Sequence, residues 1–366
     1  MMRLSPSTVI CIAASLAPHD VAHAQSKHVN IVELTDNIRS NEQLYHNYEV
    51  RWDRSYRFHT ENVPLPAAVG GLVAITETGR CIRQGGLYFF REDTTNNLQG
   101  GQIQKFSMAQ AYDGSKTRVL SAGVANVVDG QQASAHDFHS HSWIILRDNV
   151  KVPLSVLLRG GDELKKHPSA GVLKDAVPKV SAEAVEVIDG LNCVRVNCDV
   201  SFDGHPLKPY LTYRLWLAID RNYLPVQTEC YMALNSRILP TGVRRASDFK
   251  ELAPGVWLFH RLDNRAYDNG NLRQGKAVVN QTEEFSITVA HLNPDYPVEE
   301  FSKVDFPERA TVYDVNSSGK IVGEKRPAVV SRVQNNFAWL LIAAVAVAAA
   351  LVVRQAVRRV RSRAVA

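Results

Sequence analysis

Cysteine is scarce, with five residues in 366, and no two of them are spaced as C-x-x-C. A thiol redox pair or a zinc knuckle of that spacing is therefore excluded. The chain also has no G-x-S-x-G elbow, no H-E-x-x-H helix and no glycine-rich phosphate loop, and these absences argue against catalysis without removing it. Nothing in the sequence asks for a cofactor. Excess charge is missing too. The formal net charge of +5 equals the five arginines of the last residues, Arg354, Arg358, Arg359, Arg361 and Arg363, so the body before them is close to neutral. A nucleic-acid binder needs a basic stripe on the body itself, and here acids interrupt every such window.

What is present begins with an apolar fraction of 45% in a chain long enough to bury a core without disulfides or a structural metal. Residues 1–24 run from Arg3 through an apolar stretch to Ala22-His23-Ala24, the order of a secretory signal peptide. Near the other end, every residue of 337–353 is apolar. Seventeen residues make roughly 25 Å of helix, near the thickness of a bilayer core. The expectation is a transmembrane helix over 335–353, preceded by a stalk over 315–334 and followed by a basic tail over 354–366. Positive flanks stay cytoplasmic. The chain thus reads as a bacterial envelope protein with a single span in the cytoplasmic membrane, its body in the periplasm or outside. A sorting signal that is later processed shares part of this pattern.

The body, 25–314, reads as α+β. Ile31, Leu34, Ile38 and Tyr45 recur at helical spacing. The period then changes to two, with Tyr48, Val50, Trp52, Tyr56 and Phe58 alternating with polar residues, which predicts a strand with one apolar face. Arg54 interrupts that face. Asp113-Gly114, Asp129-Gly130, Asp189-Gly190, Asp203-Gly204 and Asn269-Gly270 are turn signals. They predict a long antiparallel meander, interrupted once by helices around 142–166, with a division near Asp129 left open. Cys81, Cys193, Cys198 and Cys230 remain after removal of the signal and allow two disulfides or free thiols. Cys193 and Cys198 fall on opposite faces of one strand and should not join each other.

A first helix carrying Asn41-Glu42, the strand Tyr48-Glu49-Val50-Arg51-Trp52, then Gly86-Leu87-Tyr88-Phe89-Phe90-Arg91, Ala111-Tyr112-Asp113-Gly114, Asp248-Phe249-Lys250-Glu251 and Phe306-Pro307 form a recognisable succession. It resembles the periplasmic lipoprotein carriers and outer-membrane lipoprotein-sorting-like (LolA-like) proteins. The resemblance implies a curved antiparallel half-barrel closed by helices around an apolar cavity, and a lipid or lipoprotein as partner. It also implies that Arg91 helps to hold the cavity closed, although Glu92 follows it where the carriers have proline, and a salt bridge to Glu92 or Asp93 accounts for it equally well. The carriers are soluble, whereas this chain carries an expected anchor.

The candidate ligand-binding residues are Tyr48, Val50, Trp52, Tyr56, Phe58, Tyr88, Phe90, Arg91, Tyr213 and Leu215. In a half-barrel the apolar ones line a cavity, and in a closed sandwich they are ordinary core. Two further functions stay open: a sensor or interaction module for a protein partner in the envelope, and a metal-dependent hydrolase using His136, His139 and His141 beside Asp137.

Overall fold

The computed structural model describes residues 29–63, 71–121, 123–132, 138–142, 152–308 and 310–325. The segments read as signal peptide, spanning helix and basic tail lie outside them. Among the described residues no helix is long and apolar enough to cross a membrane.

Helix α1 (Ile31–Glu42) starts where the Asn30 side chain accepts from the Val32 amide at 3.0 Å, satisfying one orphan donor of the first turn. Leu34 and Ile38, one turn apart, are its buried stripe. It tightens into a 3₁₀ turn over Gln43–Tyr45, so Tyr45 leaves the helical register and enters the second core described below. A first meander follows: β1 (Tyr48–Phe58), β2 (Leu72–Gln84), β3 (Leu87–Leu98), β4 (Ile103–Tyr112), β5 (Lys116–Ser121) and β6 (Val124–Asp129). Two short helices, α2 (Leu154–Arg159) and α3 (Gly161–Lys166), stand in the expected interruption. A second meander is made by β7 (Ala176–Ile188), β8 (Leu191–Phe202), β9 (Leu211–Ala218), β10 (Leu224–Met232), β11 (Gly242–Ala253), β12 (Val256–Tyr267), helix α4 (Asn269–Arg273) and β13 (Val279–Leu292). The hairpin β14 (Thr311–Val315) and β15 (Ile321–Lys325) completes the described chain.

The fifteen strands of the described residues form one open, curved sheet whose outermost strands are β7 and β15. The two meanders join where β1 pairs antiparallel with β13, from Tyr48 opposite Leu292 to Phe58 opposite Gln281. The division entertained at Asp129 is therefore the end of a meander inside a continuous sheet.

Three expectations need correction. The sheet is not antiparallel throughout, because β14 lies parallel to β6. Asn269-Gly270 opens α4 instead of making a hairpin turn, since Asp268 accepts from the Asn271 amide and caps a helical turn. Residues 316–325, assigned to the stalk, form the last turn and strand β15, with Asn316 Oδ1 accepting from the Ser318 and Lys320 amides.

The sheet buries apolar residues on both faces. On one, α1, α2 and α3 press Leu34, Ile38, Leu154, Leu157 and Leu164 against Val194, Val196, Tyr213 and Leu215 of β8 and β9. Beside this lies a second core of Val50, Trp52, Cys81, Phe90, Leu262 and Phe285, to which Tyr45 and Phe138 belong. On the other face, Phe301 and Val304 cover Ile82, Phe89, Ala109 and Ala111. Glu49 breaks the alternation of β1 by being buried. Its carboxylate accepts from Arg80, Arg51 and the Tyr296 hydroxyl. Burial alone would raise its pKa, but those three bonds outweigh it and hold the carboxyl below its usual value.

Candidate functional site

Most of the apolar residues singled out from the sequence are packed core. Trp52 lies between Phe90 and Phe285, with ring centroids at 5.9 and 6.4 Å. Val50 joins the same cluster. Tyr213 and Leu215 sit beneath the helices in the first core. Tyr56 is buried under the Arg54 guanidinium, 4.3 Å from its ring, and Phe58 is half-buried. Arg54 does not snorkel to water as an edge cation. It is held by Glu283 at 2.7 Å and Glu77 at 3.4 Å, and Asn264 and Arg244 complete a buried charged cluster. Arg91 is not a cavity residue. It follows Phe90 and so points to the opposite face, where it is exposed and bonded to Asp93 at 2.9 Å.

Tyr48 and Tyr88 have a different setting. Both face a cleft of about 680 Å³ at the end of the sheet where β1 and β3 begin. Its other walls come from the end of α1 and its 3₁₀ turn (Arg39, Glu42, Gln43, Tyr45, His46), from Phe138, His139 and Ser140, and from the start of α2 (Pro153, Ser155, Val156). Glu163, His167 and Pro168 close the rim. Phe138 packs edge-on against Tyr48 at 5.6 Å. The two tyrosine hydroxyls hold the neighbouring loop: Tyr48 accepts from the Phe138 amide at 2.9 Å, and Tyr88 donates to the Gln132 carbonyl at 3.0 Å while accepting from Gln110. The result is four aromatic rings, each fixed, around an opening.

The polar side of the cleft joins the helices. Arg39 pairs with Glu163, and Asp36 with Arg159. Glu42 accepts from the Ser155 hydroxyl at 2.5 Å. Burial dominates at Glu42 and lifts its carboxyl above the ordinary range, against the lowering effect of the Ser155 and Leu154 contacts and of Arg39. Ser155 faces a carboxyl instead of an imidazole base. Of the rim histidines, His46 Nδ1 meets the Gln43 carbonyl and His167 Nδ1 accepts from the Ser169 amide. Ser140 is the lining serine that meets an imidazole, His141 Nδ1, and that ring is buried with its other nitrogen on the Asn222 carbonyl. The described lining thus presents aromatic rings with a polar rim.

The structure describes part of the histidine cluster. His136 and Asp137 lie outside the described residues, His139 lines the cleft, and His141 is fully buried. Because a carbonyl only accepts, His141 Nε2 must donate to Asn222 O at 2.6 Å, leaving Nδ1 to accept from the Ser140 hydroxyl at 3.0 Å. Burial, with a minor contribution from His139, depresses its pKa to about 4. Both nitrogens are occupied, so His141 is structural. Among the described residues no three His, Cys, Asp or Glu side chains converge to hold a metal ion.

Residues that sequence reasoning missed include Tyr45 and Phe138 as cleft walls, and the pair Glu42–Ser155. Tyr45 was visible as an apolar position of the first helix, but its role comes from the 3₁₀ turn that redirects it. The four described cysteines are free thiols, and Cys193 and Cys198 face opposite sides of β8 as expected.

No family model matches the chain, and no curated protein does. Among the solved structures similar to it, an outer membrane lipoprotein-sorting protein domain from Vibrio parahaemolyticus matches with a TM-score of 0.39 at 8% identity, over 75% of this chain and 98% of that one. A DUF1329 family protein from Desulfovibrio piger matches with a TM-score of 0.38 at 9% identity, over 76% of this chain and 99% of that one.

Proposed function

We propose that the cleft binds one apolar or amphiphilic chain, an acyl group of a lipid or lipoprotein, without transforming it, on a protein anchored in the cell envelope. The observation that carries this is the cleft itself: about 680 Å³ walled by Tyr45, Tyr48, Tyr88 and Phe138 beside a packed aromatic core. That volume lies within the range of about 300–1,000 Å³ typical of small-molecule sites. Each methylene taken out of water there contributes about 0.8 kcal/mol. The polar rim of Arg39, Glu163, His46 and His167 suits a ligand whose other end stays wet.

The test is native mass spectrometry of the protein from its own host, followed by titration with a fluorescent fatty acid. The expected result is a bound species of lipid mass that the probe displaces. Val156→Trp, which fills the cleft from α2, should weaken probe uptake about tenfold or more. A protein that is empty as isolated and takes up no probe would refute the proposal.

A further inference from the structure

At the end of the sheet opposite the cleft, three loops touch one another. Strand β8 passes to β9 through 203–210, β10 to β11 through 233–241, and β12 to β13 through 268–278. The Ala233 amide donates to Tyr210 O, Asn235 donates to Asn269, and Arg273 donates to Asn235. At the tip, Ile238 is 87% exposed and Leu234 49%. Lys208, Arg237, Arg273 and Lys276 are also exposed around them. These loops hold two carboxylates, Asp203 and Asp268, and Asp268 is engaged in capping α4. A small pocket of about 220 Å³ opens beside the tip, lined by Arg214, Arg237, Thr212, Ser236 and Tyr231. Arg214 lies over the Tyr231 ring at 4.9 Å and is partly balanced by Glu229 at 3.6 Å. Arg237 has no carboxylate within ion-pair distance among the described residues.

We propose that this end is a docking surface for an anionic phospholipid bilayer, with Ile238 and Leu234 entering the headgroup region and one lipid phosphate seated between Arg237 and Arg214. Three features converge on a membrane and not on a protein. An isolated exposed apolar side chain is common and means little. Here the exposed pair is ringed by cations in a body that is otherwise near neutral, which complements the negative surface of a bilayer. The adjoining pocket offers guanidinium and hydroxyl donors, the groups that recognise phosphate. The path of the chain agrees: β15, at the other edge of the sheet, runs antiparallel to β14 and so heads toward this same end as it finishes at Lys325, eleven residues short of the apolar stretch 337–353. The surface is independent of what the cleft binds.

Hydrogen exchange on the full chain, reconstituted in phosphatidylcholine vesicles with or without phosphatidylglycerol, tests this. Amides of 234–239 should exchange tenfold or more slowly in the phosphatidylglycerol vesicles, and high salt should remove most of that protection. The turn at Asp189-Gly190, in the opposite loops, serves as the internal reference and should not change. Ile238→Asp and Arg237→Glu are surface changes that leave the fold intact, and each should abolish the protection. Equal exchange in both vesicle types, or protection that survives both substitutions, would overturn the proposal. So would protection by a soluble envelope protein in place of lipid.

Discussion

Gly79 sits in the middle of β2, opposite Trp52 on β1, and the indole occupies the space a side chain would need. A Cβ at Gly79 would lie 2.0 Å from Trp52 Cζ2 and 2.1 Å from Cε2. The ring has no ready escape, since Phe90 and Phe285 bound it on either side. Gly79→Ala should therefore act as overpacking, which costs about 1–3 kcal/mol. Against this stands the restriction of the unfolded chain, which favours alanine by about 0.4–1 kcal/mol. The net expectation is a loss of about 1–2 kcal/mol. In a Trp52→Leu background, itself destabilised by about 2–4 kcal/mol, the clash disappears and only the favourable part remains. There Gly79→Ala should be neutral or stabilising by up to about 1 kcal/mol. Urea denaturation of the four proteins, followed by far-ultraviolet circular dichroism because a tryptophan is lost, gives the coupling directly. If Gly79→Ala is equally costly with and without the indole, to within about 0.5 kcal/mol, the glycine is not there to admit the ring and the reasoning fails.

Further outcomes follow from the buried polar groups. His141 is neutral in the fold with a pKa near 4, whereas the unfolded imidazole takes up a proton below about 6.5. The unfolded state binds more protons in that window, so stability should fall by up to about 3 kcal/mol as pH drops from 6.5 to 4. His141→Phe should flatten this slope in denaturation series across that range. At Glu283, burial raises the pKa, but Arg244, Arg54 and Asn264 together bring it below the usual value. Its contribution is thus present above about pH 4.5 and lost as pH falls through the lowered pKa. Glu283→Gln, which removes the buried carboxylate facing Arg54 and Arg244 while Glu77 still pairs with Arg54, should cost up to about 3–5 kcal/mol at neutral pH, and the variant should lose less stability than the parent on acidification. Burial pushes Cys193 up to about 11 and Cys198 up to about 12. A disulfide exchange reagent at pH 8 should leave both unlabelled in the native protein and modify both in denaturant.

What could be read from the sequence was local. Strand β1 showed itself by period two, α1 by its apolar stripe, and β7–β8 by Asp189-Gly190, because each signal lies within a dozen residues. The closure of β1 on β13 was not visible. Arg54 and Glu283 are 229 positions apart, and no local pattern marks a pairing at that distance. The same applies to Glu49, a buried polar residue whose carboxylate accepts from Tyr296, 247 positions away. The site was half legible for a related reason. Tyr48 and Tyr88 stand on strands whose faces the alternation specifies. Phe138, Ser155 and Glu42 become cleft walls only because α1 ends, and α2 begins, at particular places over the sheet.

That division also sets the depth of the cleft. The floor beneath Tyr48 and Tyr88 is the cluster of Val50, Cys81, Phe90 and Trp52, and beyond it lies the charged group of Arg54, Glu77 and Glu283. If the cleft takes an acyl chain as proposed, the chain should meet first packed rings and then buried ions. Ligand length should be limited by Phe90, which stands two residues beyond Tyr88 on the same face of β3. Phe90→Ala removes that ring at a cost of about 3–5 kcal/mol in stability and extends the cleft toward Trp52. In competition assays with saturated fatty acids of increasing length, the variant should shift its preference toward longer chains, by about 0.8 kcal/mol for each further methylene accommodated. Uniform weakening at every length would show that Phe90 supports the site without bounding it.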